Sequence, residues 1–77
     1  MDTKTRLKAL IARLFKCDVA ELSDSVGPGD LPGWDSLGHV TLMAEVQKEF
    51  GKHVPLEDAI DVDSIAGLAT ILERIDG

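Results

Sequence analysis

The sequence predicts an all-α fold, a small four-helix bundle of three long helices and one short one, with a long loop between helices I and II. Three observations predict it. Apolar residues recur at helical spacing in three separate stretches, and no run alternates apolar with polar residues as a half-buried strand would. Glycine and proline gather between those stretches, at Gly27-Pro28-Gly29, at Pro32-Gly33, and at Gly51 and Pro55. A chain of 77 residues makes one domain, 1–77, near the lower size limit for a core without staples. Phe15, Trp34 and Phe50 are its only aromatics, so that core is aliphatic.

The first helix spans residues 3–16. Thr3 or Asp2 can cap it, and Leu7, Leu10, Ile11, Leu14 and Phe15 repeat on one face. Lys4, Lys8, Arg13 and Lys16 stay outside. Residues 17–35 form a long connection, in which the two glycine–proline groups forbid a continuous helix. Val19, Leu22, Val26 and Leu31 can pin it to the core, and a short helical turn fits around Asp18–Leu22. The second helix covers 36–50 and stops at Gly51, a residue suited to a left-handed cap. Val54-Pro55 breaks the chain, and Leu56–Ile60 makes one short helical turn. Asp63 or Ser64 caps the last helix, which sets Ile65, Leu68, Ile71, Leu72 and Ile75 on one face. Gly67 weakens it by about 1 kcal/mol relative to alanine.

The second helix carries more apolar surface than a core requires. At about 100° per residue, Leu42, Met43, Val46 and Phe50 fall on one arc, while Leu37, Val40 and Ala44 fall on another. A core stripe needs roughly 100°, and the two arcs together cover about twice that. One arc faces the core and the other is reserved. Ser36 heads the helix near the reserved arc.

Charge narrows the partners. The formal net charge is −6, and residues 30–63 hold eight acidic residues against only Lys48 and Lys52. That sign excludes nucleic acid as a partner and draws basic protein surfaces, although acidic residues also serve plain solubility. Nothing approaches the run of about 18 apolar residues a membrane span needs. The start, Met-Asp-Thr-Lys-Thr-Arg, lacks the apolar core of a secretory signal, and Cys17 has no disulfide mate. A reducing cytoplasm fits both, and a monomer is expected.

Several catalytic and metal patterns fail on inspection. Asp61-Val62-Asp63 begins like a calcium loop, but Ile65 and Ala66 stand where an oxygen ligand and a glycine are needed. Gly33, Ser36 and Gly38 resemble a nucleophile elbow with the first glycine one residue early and no strand before it. Ser36 and His39 lie one helical turn apart beside Asp35, yet so thin a bundle offers no pocket or oxyanion hole. His39 reads as half-buried or as a partner contact, and His53 as a solvated loop residue. Cys17 beside Asp18 reads as an apolar filler, and Trp34 as a cap on the core under the loop. Ser36 keeps two readings. It is a capping residue, or it is an exposed hydroxyl at a positive helix end where a phosphate ester would be stabilised, with the reserved arc beside it for an attached organic group.

Asp35-Ser36-Leu37, preceded by Leu31-Pro32-Gly33-Trp34 and followed by Val40, Leu42-Met43 and Glu49-Phe50-Gly51, resembles the acyl and peptidyl carrier proteins. The order of helices and the long loop fit the same pattern, so the resemblance covers essentially the whole chain. It implies that Ser36 is esterified with 4′-phosphopantetheine from coenzyme A by a separate phosphopantetheinyl transferase. The arm's thiol then holds acyl or aminoacyl groups as thioesters for partner enzymes of fatty-acid, polyketide or related biosynthesis, and the domain itself catalyses nothing. It also implies that Asp35 and Leu37 flank the attachment site and that Leu37, Val40 and Ala44 form a contact ridge. The acidic charge beside that ridge, Glu45 and Asp35, is expected to steer acyl-loading and acyl-processing enzymes that have basic docking surfaces. Thr41, Gln47 and Lys48 stand where fatty-acid carriers are usually acidic, and Trp34, Gly38 and His39 look more like carriers of specialised pathways. The alternative is an unmodified helical interaction module.

Overall fold

Asp2 opens the first helix in the computed structural model, which describes residues 2–75: its carboxylate accepts the Thr5 amide at 2.7 Å. Met1, Asp76 and Gly77, at the ends of the expected 1–77 domain, lie outside the described residues. Helix α1 runs Thr3–Phe15 and stops one residue earlier than the periodicity predicts. Lys16 adopts the left-handed conformation (φ 56°), and the Cys17 amide bonds back to the Ala12 carbonyl at 3.0 Å, closing the helix end without a glycine. Helix α2 is Ser36–Phe50, ended by left-handed Gly51 as expected; α3 is Leu56–Asp61 and α4 is Ile65–Arg74. The described residues contain no strand.

Leu7 and Ile11 from α1, Leu42 and Val46 from α2, and Ile65, Leu68 and Leu72 from α4 are fully buried and share one core with Trp34. Each lies on the apolar face its spacing predicts. Burying a large aliphatic side chain contributes roughly 1.5–3 kcal/mol, and this shared stripe is what holds three helices together.

The connection between α1 and α2 is held by buried side chains and by backbone hydrogen bonds together. Leu22 is buried and Val26 and Leu31 are half-buried, but Val19 stays exposed, because Leu22 takes the core position beside the single 3-10 turn Val19–Glu21. The Val26 carbonyl accepts the Ile65 amide at 2.8 Å and the Asp24 carbonyl accepts the Ala66 amide at 3.0 Å. The loop thus satisfies the otherwise free amides at the start of α4, where Ser64 Oγ takes the Gly67 amide. Gly27 makes this approach possible: a Cβ there would stand 2.0 Å from the Asp63 carbonyl oxygen.

Asp24 ties the same loop to α1. Its carboxylate meets Lys4 at 3.0 Å and Lys8 at 2.9 Å, so these lysines are half-buried and paired rather than simply outside. The hydrogen bonds from Lys8 and then Lys4 hold the Asp24 carboxyl below the usual carboxylate range. A depressed value means the pairing stabilises the fold fully above pH about 4 and loses that contribution as the pH falls further, through the lowered value. Acid titration followed by NMR will therefore show amides 22–30 shifting below pH 4 before α1 melts.

Candidate functional site

The site is the start of α2, and Trp34 sets where that start lies. Its amide donates to the Leu31 carbonyl at 3.1 Å and its carbonyl accepts the Gly29 amide at 2.7 Å, folding 29–34 into a tight turn. The indole is fully buried, as expected of a cap on the core, between Phe15 (centroids 5.6 Å apart) and His39 (6.3 Å). The turn presses against the helix at Gly38, where a Cβ would fall 1.8 Å from the Gly33 carbonyl oxygen. Only glycine allows that approach.

Asp35 is the capping residue: its Oδ1 accepts the Gly38 amide at 2.8 Å. Ser36 is therefore the first helical residue, and the capping reading of Ser36 passes to its neighbour. One acceptor suffices for that amide, which leaves the serine hydroxyl without a structural duty. Ser36 is exposed, and among the described residues its side chain makes no hydrogen bond. The Ser36 and Leu37 amides are also unbonded there, in contrast to the first amides of α4. Free N–H groups and the helix dipole give this end a partial positive charge. An ester on Ser36 Oγ would displace no side chain, so the residues present fit a phosphodiester-linked group. Asp35→Ala is expected to cost about 1 kcal/mol and to lower Tm by roughly 4–8 °C in a thermal melt.

The reserved arc of α2 does remain uncovered. Leu37 is 75% exposed, Val40 is 66% exposed, and Ala44 is exposed, while Glu45 beside them is half-buried. Helix α3 adds Leu56 at 77% and Ile60 at 71%, residues to which the sequence reading gave no role. Their signal was present: Leu56 and Ile60 are four apart, whereas Ala59 and Val62 turn inward and are buried. Between α2 and α3 lies an open groove of about 480 Å³, walled by Val40, Met43, Ala44, Leu56, Ala59 and Ile60. Gln47, also on the groove, is spent, its amide donating to the Met43 carbonyl and its oxygen accepting the Val54 amide. Glu57, Asp61 and Asp63 are exposed along α3 and just after it.

His39 is no partner for Ser36. Its Nδ1 accepts the Trp34 indole N–H at 3.0 Å and its Nε2 lies 2.9 Å from the Ala59 carbonyl oxygen, so both nitrogens are engaged. His53 is an exposed loop residue. Cys17 is half-buried, and burial, then Glu21 and Asp18, push its thiol up, away from reactivity. Among the described residues no group of three or more His, Cys, Asp or Glu can hold a metal, and no helix is long and apolar enough to cross a membrane.

No curated protein matches the chain. The profile of the family described as "phosphopantetheine attachment site" matches residues 5–72, from early in α1 to near the end of α4. That span includes the capped start of α2 and reaches into all four helices. The chain therefore belongs to the phosphopantetheine-attachment family, the acyl and peptidyl carrier proteins, whose domains bear 4′-phosphopantetheine as a covalent group.

Proposed function

We propose that residues 1–77 are a single carrier domain, working as a monomer in the cytoplasm, with 4′-phosphopantetheine attached at Ser36 Oγ. The observation that carries this is the exposed, unbonded hydroxyl at the first position of a 15-residue helix whose cap is supplied by Asp35. The arm supplies a terminal thiol that holds an acyl or aminoacyl group as a thioester for enzymes of fatty-acid, polyketide or related biosynthesis. The protein holds the cargo and leaves the chemistry to its partners. Incubation with coenzyme A and a broad-specificity phosphopantetheinyl transferase should raise its mass by one phosphopantetheine, about 340 Da; an unchanged mass alongside an active control carrier refutes the reading.

Asp35 orients the first turn and Leu37 begins the surface that partners meet. The contact ridge is Leu37, Val40 and Ala44, extended by Leu56 and Ile60 across the groove, an apolar surface that a soluble monomer has no internal use for. Glu45 and Asp35 steer the basic docking surfaces of the transferase and of the acyl-loading and acyl-processing enzymes. Glu45→Lys should slow association severalfold at low salt and flatten its salt dependence in stopped-flow measurements; an unchanged rate removes Glu45 from the docking surface.

A further inference from the structure

Helix α3 is weakly built. It has six residues, its capping position is Pro55, and it has no side-chain cap. Ala59 and Val62 bury against the bundle, and Val54 anchors the approach through Gln47. Among the described residues, the contact from His39 Nε2 to the Ala59 carbonyl is the one hydrogen bond that joins α3 to another helix. The opposite edge of the same imidazole accepts from Trp34, the residue that anchors the turn before Ser36. Trp34 immediately precedes the cap and His39 is the fourth helical residue, the two positions whose side chains commonly meet to fix the entry of a helix. Here that contact is an edge-to-edge, nearly coplanar, hydrogen-bonded pair extended to a third element.

We propose that His39 is a positioning residue that holds the Ser36 turn with one ring nitrogen and α3 with the other, and that it does so as the neutral Nε2–H tautomer. The indole is only a donor, so Nδ1 must be the acceptor, and the Ala59 carbonyl is only an acceptor, so Nε2 must carry the hydrogen. No other form of the ring satisfies both partners. The link spans the groove wall: His39 and Ala59 both line the groove between α2 and α3. Loosening the Ala59 end frees α3, with Leu56 and Ile60, to move relative to Val40 and Ala44. Loosening the Trp34 end leaves a buried indole N–H unpaired and slackens the turn that presents Ser36.

The two ends can be cut separately. Asparagine places an oxygen near the position of Nδ1, and glutamine places an N–H near the position of Nε2. His39→Asn should keep the Trp34 bond and lose the α3 bond. In the apo protein its Ala59 and Val62 amides should exchange up to about tenfold faster by NMR, while the Trp34 indole proton exchanges within about twofold of the wild-type rate. His39→Gln should do the reverse: α3 exchange is unchanged, the Trp34 indole proton exchanges up to about tenfold faster, and kcat/KM for Ser36 loading falls. Equal disturbance of both readouts by both variants, or of neither, overturns the proposal. If either variant fails to fold, long-range ¹⁵N-histidine spectra of the wild-type apo protein at neutral pH decide it. An Nε2–H ring supports the link, and an Nδ1–H ring or an imidazolium overturns it. The loading readout alone rests on Ser36 being the attachment residue. A wild-type chain that is never loaded defeats the carrier reading and leaves the exchange and tautomer results to judge the link.

Discussion

Ser36→Ala is expected to abolish phosphopantetheine transfer while leaving the fold unchanged. The substitution removes one hydroxyl that has no hydrogen-bond partner among the described residues, at an exposed position where alanine is a good helix former. Stability should stay within about 0.5 kcal/mol of wild type by urea titration. Mass spectrometry after incubation with coenzyme A and transferase should then show the full gain for wild type and none for the variant. The contrast is at least the detection range of the instrument, because no other hydroxyl combines exposure with a free helix start. Thr41 bonds the Leu37 carbonyl and Thr70 the Ala66 carbonyl, while Ser64 is half-buried and caps α4. A mass gain that survives in Ser36→Ala would move the attachment elsewhere. A wild type that stays unmodified would favour an interaction module that bears no prosthetic group.

Trp34→Ala is expected to be the most damaging single substitution for stability. The indole is the largest fully buried side chain and touches three elements: Phe15 at the end of α1, its own turn, and His39 in α2. Truncating a buried tryptophan costs about 3–5 kcal/mol. Small domains have only about 5–15 kcal/mol in total, and 77 residues place this one low in that range. The variant should be largely unfolded at 37 °C by circular dichroism, with a urea midpoint well below that of wild type. Trp34→Phe keeps most of the apolar volume but leaves Nδ1 of His39 without its donor, and should lose about 1–2 kcal/mol. A Trp34→Ala midpoint close to wild type would mean that the turn before Ser36 is held by its backbone bonds and by Gly38 alone.

Several features of the site were legible in the order of residues. The helix over 36–50, its stop at Gly51, the burial of Leu42, Met43 and Val46, and the exposure of Leu37 and Val40 all follow from spacing along one helix. The burial of Trp34 followed from its scarcity and size. The choice between Asp35 and Ser36 as cap did not follow, since both residue types can cap and only backbone geometry decides which one does. Lys16 in a left-handed conformation gave no signal, because a helix end closed by a non-glycine residue looks like one more helical turn.

The sequence by itself determined that the chain is helical, where three long helices run, and that one face of α2 is surplus to the core. Those properties live within about four residues along a chain, the range over which helical side chains meet. The tertiary structure decided the rest. It seats the 17–35 loop on the start of α4 through Asp24 and Val26, adds Leu56 and Ile60 to the exposed ridge, and joins Trp34 to Ala59 through His39. The loop-to-α4 and His39–Ala59 hydrogen bonds among these link residues about 20 to 40 positions apart, and each depends on a carbonyl or ring nitrogen whose direction is fixed only when the helices have packed.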